Sequence, residues 1–473
     1  MPGNESRSRR EFLKAGLYGA GAVSLGLLSL TRCGGSTGHG PSPFGPLHPV
    51  ADEITGLPLL LLPEGFRYRT VSWLGDLLRD GYRAPPAFDG MGIVEESDDL
   101  IWLVRNHELR GSTTAIGAAH KAYDITGGGT TTLVFDTASE TVTDSWISLG
   151  GTLNNCAGGV TPWGTWLSCE EAPFSPELAH LRPPLKQAYW DIERAKKPHG
   201  YVFEVPPQGV AEPIPIKAMG QFYHEAAIVD PKTGDVYMTE DSEPKAGFYR
   251  YRPRVRNSLA EGGTLTMMAV DGGMDMRSSL PMGLSFPVGW VAIEEPERGF
   301  NKGEREGKGV VSQGLDKGGS AFIGLEGAIW DEERLYFTSK LGGAAAAGYV
   351  FEYSPRSETI RLVYESPGHD HFSGPDNLVV SPRGNLVVCE DRVTRYRAGQ
   401  SIAGISRDGL LHKFCTIDPR LEGRWNGVDL SATARGSEWA GVCFSGDGTW
   451  MFSNILQPGI TVAITGPWDP DWM

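Results

Sequence analysis

The stretch CAGGVTPWGTWLSCEE, residues 156–171, reads as an apolar strand, a Pro/Gly turn and a second apolar strand with period-2 alternation. The same shape returns in EAAIVDPKTGDVYMTED (225–241), EGAIWDEERLYFTSK (326–340), DNLVVSPRGNLVVCED (376–391) and AGVCFSGDGTWMFSN (440–454). A looser copy, GMGIVEESDDLIWLVRNHE, covers 90–108. A hairpin that recurs at roughly 50–100-residue intervals marks a radial β-architecture in which each repeat supplies one sheet around an axis. The expected fold is therefore all-β, a six-bladed β-propeller with a metal site in its central channel.

The copies are bracketed by residues of ligand type. Cys156, Glu225, Glu326, Asp376 and Glu438 stand at the front; Glu108, Glu170, Glu240 with Asp241, and Glu390 with Asp391 stand at the back. Strands of a hairpin are antiparallel, so its first and last residues lie at the same end. These side chains are expected to converge on one mouth of the channel, where like charges repel strongly unless they are protonated or metal-bound. Carboxylates suit calcium, whereas a thiolate suits a transition metal, so Cys156 points to a mixed site. His107 and His224 each precede a bracketing Glu, and alternation turns them away from the channel.

Composition fits this reading and excludes others. The 473 residues include 63 Gly and 33 Pro, spread through turns rather than gathered in a disordered tract. A net charge of −15 with no basic stripe excludes a nucleic-acid partner. Phosphate-cradling glycine loops are missing from the sequence. Cys169 and Cys389 take the same place in two copies; with Cys415 and Cys443 they read as small buried apolar residues rather than disulfide partners.

The N-terminus carries Ser8-Arg9-Arg10-Glu11-Phe12-Leu13-Lys14 before a Gly/Ala/Leu-rich run to Leu30, which resembles a twin-arginine export signal and is short for a stable membrane span. Cys33 is a candidate lipid-anchor position. The expected organisation is a signal region at 1–35, a linker at 36–49 and a propeller domain at 50–473. The protein is thus expected to be periplasmic or extracellular, with the twin-arginine machinery as an export partner. The stretches FRYRTVSW (66–73) and ITVAITGPW (460–468) are candidates to share a blade and lock the ring.

The motifs NHE (106–108), NNCAGGVTPWGTWLSCEE (154–171), HGYVFEV (199–205), FYHEAAIVDPKTGDVYMTED (222–241), GLEGAIW (324–330), DNLVVSPRGNLVVCED (376–391) and SEWAGVCFSGDGTWMFSNILQPG (437–459) together resemble the PhoX-type alkaline phosphatases and their PhoX-like relatives. The resemblance implies a six-bladed propeller, twin-arginine export and an iron–calcium cluster that hydrolyses small-molecule phosphate monoesters. It implies Cys156 as an iron-bound thiolate and Glu170, Glu225, Glu326, Glu390 and Asp391 as metal ligands, with Glu108 and Asp376 as further ligands. Glu326 and Glu225 stand as the catalytic candidates. Gly324 occupies the place where the family pattern has a phosphate-clamping arginine, leaving Lys340 or Arg392 to substitute. Two other readings compete. One is a calcium-dependent lactonase, suggested by DNLVVSPRGNLVV; the other is a non-catalytic metal-binding ring.

Overall fold

The turns show why each copy folds back on itself. In the third, the Asp230 carboxylate accepts hydrogen bonds from the Lys232 amide (2.7 Å) and the Thr233 hydroxyl (2.8 Å), and Gly234 (φ 82°) completes the bend. In the sixth, Asp447 binds the amide and hydroxyl of Thr449 in the same way before Met451 resumes the strand. Short polar side chains that bond the backbone a few residues on are what an Asp in a Gly-containing turn encodes.

The computed structural model of the chain describes residues 42–110, 114–181, 195–304, 306–391, 399–406 and 409–468. The six copies form six antiparallel hairpins: Phe88–Ser97 with Leu100–His107, Asn155–Val160 with Trp166–Glu170, His224–Val229 with Val236–Glu240, Leu325–Asp331 with Arg334–Ser339, Pro375–Val380 with Leu386–Glu390, and Trp439–Phe444 with Met451–Ile455. Their front strands stand side by side in cyclic order, the sixth against the first, which gives a propeller-like arrangement.

The sheets built outward from the hairpins make four blades, not the expected six. Four sheets have four or more strands, and a fifth has three. The first hairpin continues into Gly128–Asp136 and Thr141–Thr152. The third and fourth belong to one nine-stranded sheet, because Ser285–Ile293 pairs with Ser258–Val270 on one side and with Thr359–Glu365 on the other. The second stops at Val202–Val205. Pro206, Pro207, Pro213 and Pro215 follow, and without amide hydrogens they cannot extend the ladder beyond a single bridge at Phe203. The fifth hairpin gains Leu60–Leu62 and His48–Val50 at its outer edge, so residues 48 and 49 of the expected linker lie in a strand.

Closure follows the expected pairing. Ile460–Thr465 bonds to Arg67–Trp73 from Ile460↔Trp73 to Thr465↔Arg67, joining the two ends of the described chain in the sixth hairpin's sheet. The apolar faces bury against neighbouring sheets rather than in one central core. Val104, Leu149, Trp166 and Phe203 fill the layer between the first and second hairpins, and Phe248, Phe337, Phe351 and Tyr353 that between the third and fourth. Each such side chain contributes about 1.5–3 kcal/mol on burial. The axis is thereby left free for polar groups. The signal region and Cys33 lie outside the described residues. Among those described, no helix is long and apolar enough to cross a membrane, and Cys156, Cys169, Cys389, Cys415 and Cys443 are all unpaired.

Candidate metal centre

Every one of the six hairpins carries the same irregularity near its mouth. The front strand holds one residue too many between paired positions: 88 and 91, 155 and 158, 224 and 227, 325 and 328, 375 and 378, 440 and 443. A bulge of this kind re-aims a side chain. The first bulged residue is, in turn, Asp89, Cys156, Glu225, Glu326, Asp376 and Gly441. All but the glycine line one cavity of about 780 Å³.

The back strands supply the rest. Their last residues, Glu170, Glu240 and Glu390, point away from the axis and pin down neighbouring backbone. Glu170 accepts from the amides of Leu153 (2.8 Å), Gly200 (2.7 Å) and Tyr201 (3.1 Å), Glu240 from the Gly247 amide and the Tyr249 hydroxyl (both 2.7 Å), and Glu390 from the amides of Ser373 (3.1 Å) and Ser401 (2.9 Å). The residue that follows each turns inward. Glu108, Glu171, Asp241, Lys340 and Asp391 are equivalent in this sense, and their amides donate to the carbonyls of Ala87, Asn154, Tyr223, Gly324 and Gly374 respectively. Of the residues expected as ligands, Cys156, Glu108, Glu225, Glu326, Asp376 and Asp391 share the cavity, whereas Glu170 and Glu390 do not enter it. Period-2 alternation explains the difference, because a shift of one residue flips a side chain to the other face.

His107 and His224 are buried in the layers, away from the cavity. His224 bonds the Gly220 carbonyl at 3.0 Å, and burial lowers its pKa to about 3. His199, by contrast, sits against Glu170 (2.7 Å) and Asp124 (3.4 Å); burial opposes its charge, but the two carboxylates raise its pKa to about 9. This buried ion cluster fastens the loop after Pro198 to the second hairpin.

The cavity is strongly acidic and partly dry. Burial, then Glu108 and Asp376, hold the Asp89 carboxyl well above its usual range; burial, then Glu326 and Glu171, do the same to Glu225. Burial and Asp391 raise Asp376 to about 8, and burial, opposed by Arg110, raises Glu171 to about 7. Burial and Asp89 push up the Cys156 thiol, which donates to Asp89 Oδ2 at 3.3 Å. Oε2 of Glu225, whose residue is 1% exposed, has no hydrogen-bond partner. A carboxylate oxygen buried without a donor costs about 1–3 kcal/mol or more, a cost that a cation removes.

Geometry allows such cations. Three groups, Asp89/Glu108/Cys156, Cys156/Glu171/Glu225 and Glu225/Glu326/Asp376, each offer ligand atoms within 4.8 Å of one another. They are linked in series through Cys156 and Glu225. The donor set therefore fits a multinuclear centre with one soft ligand among hard ones. Arg110 lines the mouth, donating to Glu108, Glu171 (3.0 Å) and Asn154 (2.9 Å).

The family described as alkaline phosphatase PhoX matches residues 42–127 and 118–459. The chain belongs to the PhoX alkaline phosphatase family. No curated protein matches in sequence. Similar solved structures include a putative gluconolactonase (10% identity, 89% of this chain and 97% of that one, TM-score 0.40) and a gluconolactonase from Xanthomonas campestris (12%, 84% and 100%, 0.37). A pyranose dehydrogenase domain from Coprinopsis cinerea is similar at 10% identity (88% and 100%, 0.34).

Within this PhoX-family chain, Gly324 sits at a left-handed bend that recurs from hairpin to hairpin. Its φ of 51° repeats the left-handed bend of Ala87 (56°), Asn154 (52°) and Gly374 (66°) at equivalent places. Lys340 does not face bulk solvent: its ammonium meets Asp241 at 2.8 Å, pairs with Glu326 and lies 4.0 Å from Asp391. Arg392 lies outside the described residues. Sequence reasoning missed Asp89 and Glu171, and it credited the sixth copy with Glu438 rather than Gly441. Glu438 does line the cavity, from the loop ahead of its hairpin.

Proposed function

We propose that this chain is an exported metal-dependent phosphatase that hydrolyses small-molecule phosphate monoesters at the carboxylate/cysteine cavity, with iron nearest Cys156 and calcium among the carboxylates. The observation that carries the proposal is the series of three cation groups sharing Cys156 and Glu225. Membership of the PhoX family supports the reaction class. Clustered cations bound here would supply the positive charge that draws phosphate oxygens in and lowers the pKa of water.

The chain's own part is placement. The bulges fix Asp89, Cys156, Glu225, Glu326 and Asp376 on strands rather than loops, so their geometry is preorganised. Glu225 and Glu326 are both nearly fully buried, while Arg110 is an exposed cation in the cavity lining, paired with Glu108 and Glu171. Charge on the Cys156 sulfur calls for a cation beside it, since burial and, after it, the surrounding carboxylates push the thiol's pKa up. A calcium lactonase has no use for that thiol, and its position at the junction of two groups favours the phosphatase.

The test is hydrolysis of an aryl phosphate by protein recovered from the periplasm, with elemental analysis of the same sample. Glu326→Ala is expected to lose at least about a hundred-fold in rate, since changes even behind metal ligands cost 10–100-fold. Iron together with calcium is expected. Equal turnover in the two proteins would discredit the catalytic reading, and calcium without iron would favour the lactonase. Recovery is expected to fail for Arg9→Lys/Arg10→Lys; periplasmic yield unchanged by that pair would remove the twin-arginine route.

A further inference from the structure

Equivalent positions in the hairpins make Lys340 anomalous. Where the first, second, third and fifth back strands are followed by Glu108, Glu171, Asp241 and Asp391, the fourth is followed by a lysine with the same backbone bond, its amide donating to the Gly324 carbonyl at 2.8 Å. Repeat symmetry would place a fifth inward carboxylate there. Instead an ammonium sits among Asp241, Glu326 and Asp391, with its side chain only 19% exposed.

Two further observations bear on what the ammonium does. Asp241 and Asp391 belong to none of the three cation groups among the described residues; Asp391 lines the cavity, and both meet the ammonium of Lys340, which also lines it. Room for the lysine stem comes from Gly324, where a Cβ would stand 3.2 Å from Lys340 Cγ and 3.4 Å from Leu341 Cγ. An ammonium has three donors; Asp241 and Glu326 meet it directly, and Asp391 stands 4.0 Å away on a third side. It is therefore a poor clamp for phosphate, whose charge would have to displace those partners.

We infer that the Lys340 ammonium fills one cation position of the centre, so that a tethered side chain stands where the repeat geometry would otherwise bind a further divalent ion. The inference rests on the reading of the cavity as a cation centre. The chain trades a dissociable divalent charge for a fixed single one at Asp241 and Asp391, leaving the series from Asp89 to Asp376 for exchangeable metal.

The test counts calcium on the whole protein, stripped with chelator and dialysed against Ca²⁺ alone. Lys340→Met keeps the stem against Gly324 and removes the charge; Lys340→Arg keeps a charge. Lys340→Met is expected to hold one more Ca²⁺ per chain than the wild type, and Lys340→Arg the same number as the wild type. If the wild type binds calcium and Lys340→Met binds no more, the inference falls while the cation centre stands. If neither binds, both fall. Should Lys340→Met melt without cooperativity in chelator, Ca²⁺ is expected to restore a cooperative transition, and failure to restore it would also overturn the inference.

Discussion

Glu170 and Glu171 are adjacent in sequence and opposite in role. The first spends both oxygens on buried amides and on His199; the second faces the cavity beside Arg110. Removing Glu170 leaves several buried amides unpaired and the charged imidazole with Asp124 alone, a loss of about 3–5 kcal/mol for breaking a buried pair. Glu171 instead adds to a crowd of like charge, and neutralising it relieves repulsion when metal is absent. Glu170→Ala is therefore expected to melt well below the wild type, whereas Glu171→Gln melts no lower in chelator but binds calcium more weakly. Thermal melts with and without Ca²⁺ separate the two; matching losses of stability in chelator would refute the assignment. His199 adds a pH signature. Its folded pKa of about 9 lies above the ordinary 6.5, so its pairs stabilise fully below about 6.5 and fade as pH rises through 9.

At the scale of the hairpin, the bulge both aims the ligand and sets how closely neighbours pass. The second bulged residue is small in most copies, as in Gly90, Ala157, Ala226 and Gly327. A Cβ on Gly327 would stand 2.7 Å from Asn377 Cα and 2.8 Å from the Asp376 carbonyl, both backbone atoms that cannot swing aside. Gly327→Ala is expected to push the fifth front strand outward and carry Asp376 with it, costing about 1–3 kcal/mol and weakening calcium binding. Gly289→Ala, whose nearest neighbour would be 3.8 Å away, serves as the control. Parallel effects in the two variants would argue against the close passage. The hairpins were legible in the sequence because alternation and turn residues such as Asp, Pro and Gly are local signals. Cys156, Glu225, Glu326 and Asp376 could be aligned because the bulge falls at the same offset in each. The back residues could not: alternation flips with every residue, and nothing local marks Glu170 rather than Glu171 as the strand's last. Asp89 was hidden because its copy was read from Gly90.

For the whole molecule, the number of repeats was legible but the sheets built on them were not. A proline-rich tail after Val205 truncates one sheet, and Ser285–Ile293 fuses two others, both outcomes of pairing between distant segments. The ring nonetheless gathers acidic groups from Asp89 to Glu438 at one mouth, and that concentration governs stability. Asp376 is raised to about 8 and Glu171 to about 7, and Asp89, Glu225, Glu326 and Glu438 are held well above the usual carboxylate range. Each such group keeps its proton in the fold to a higher pH than in the unfolded chain. The folded state then binds more protons, so stability falls as pH rises from about 4.5 through about 8. Bound cations supply the compensating charge in place of protons, and their affinity grows as the ligands ionise. In chelator the melting temperature is expected to drop steadily between about pH 5 and pH 8, and saturating Ca²⁺ is expected to flatten or reverse that slope. Calorimetry near neutral pH in buffers of different ionisation enthalpy is expected to show proton release on calcium binding. A chelated protein equally stable at both ends of that range, with no proton released, would mean that these carboxyls do not share one pocket.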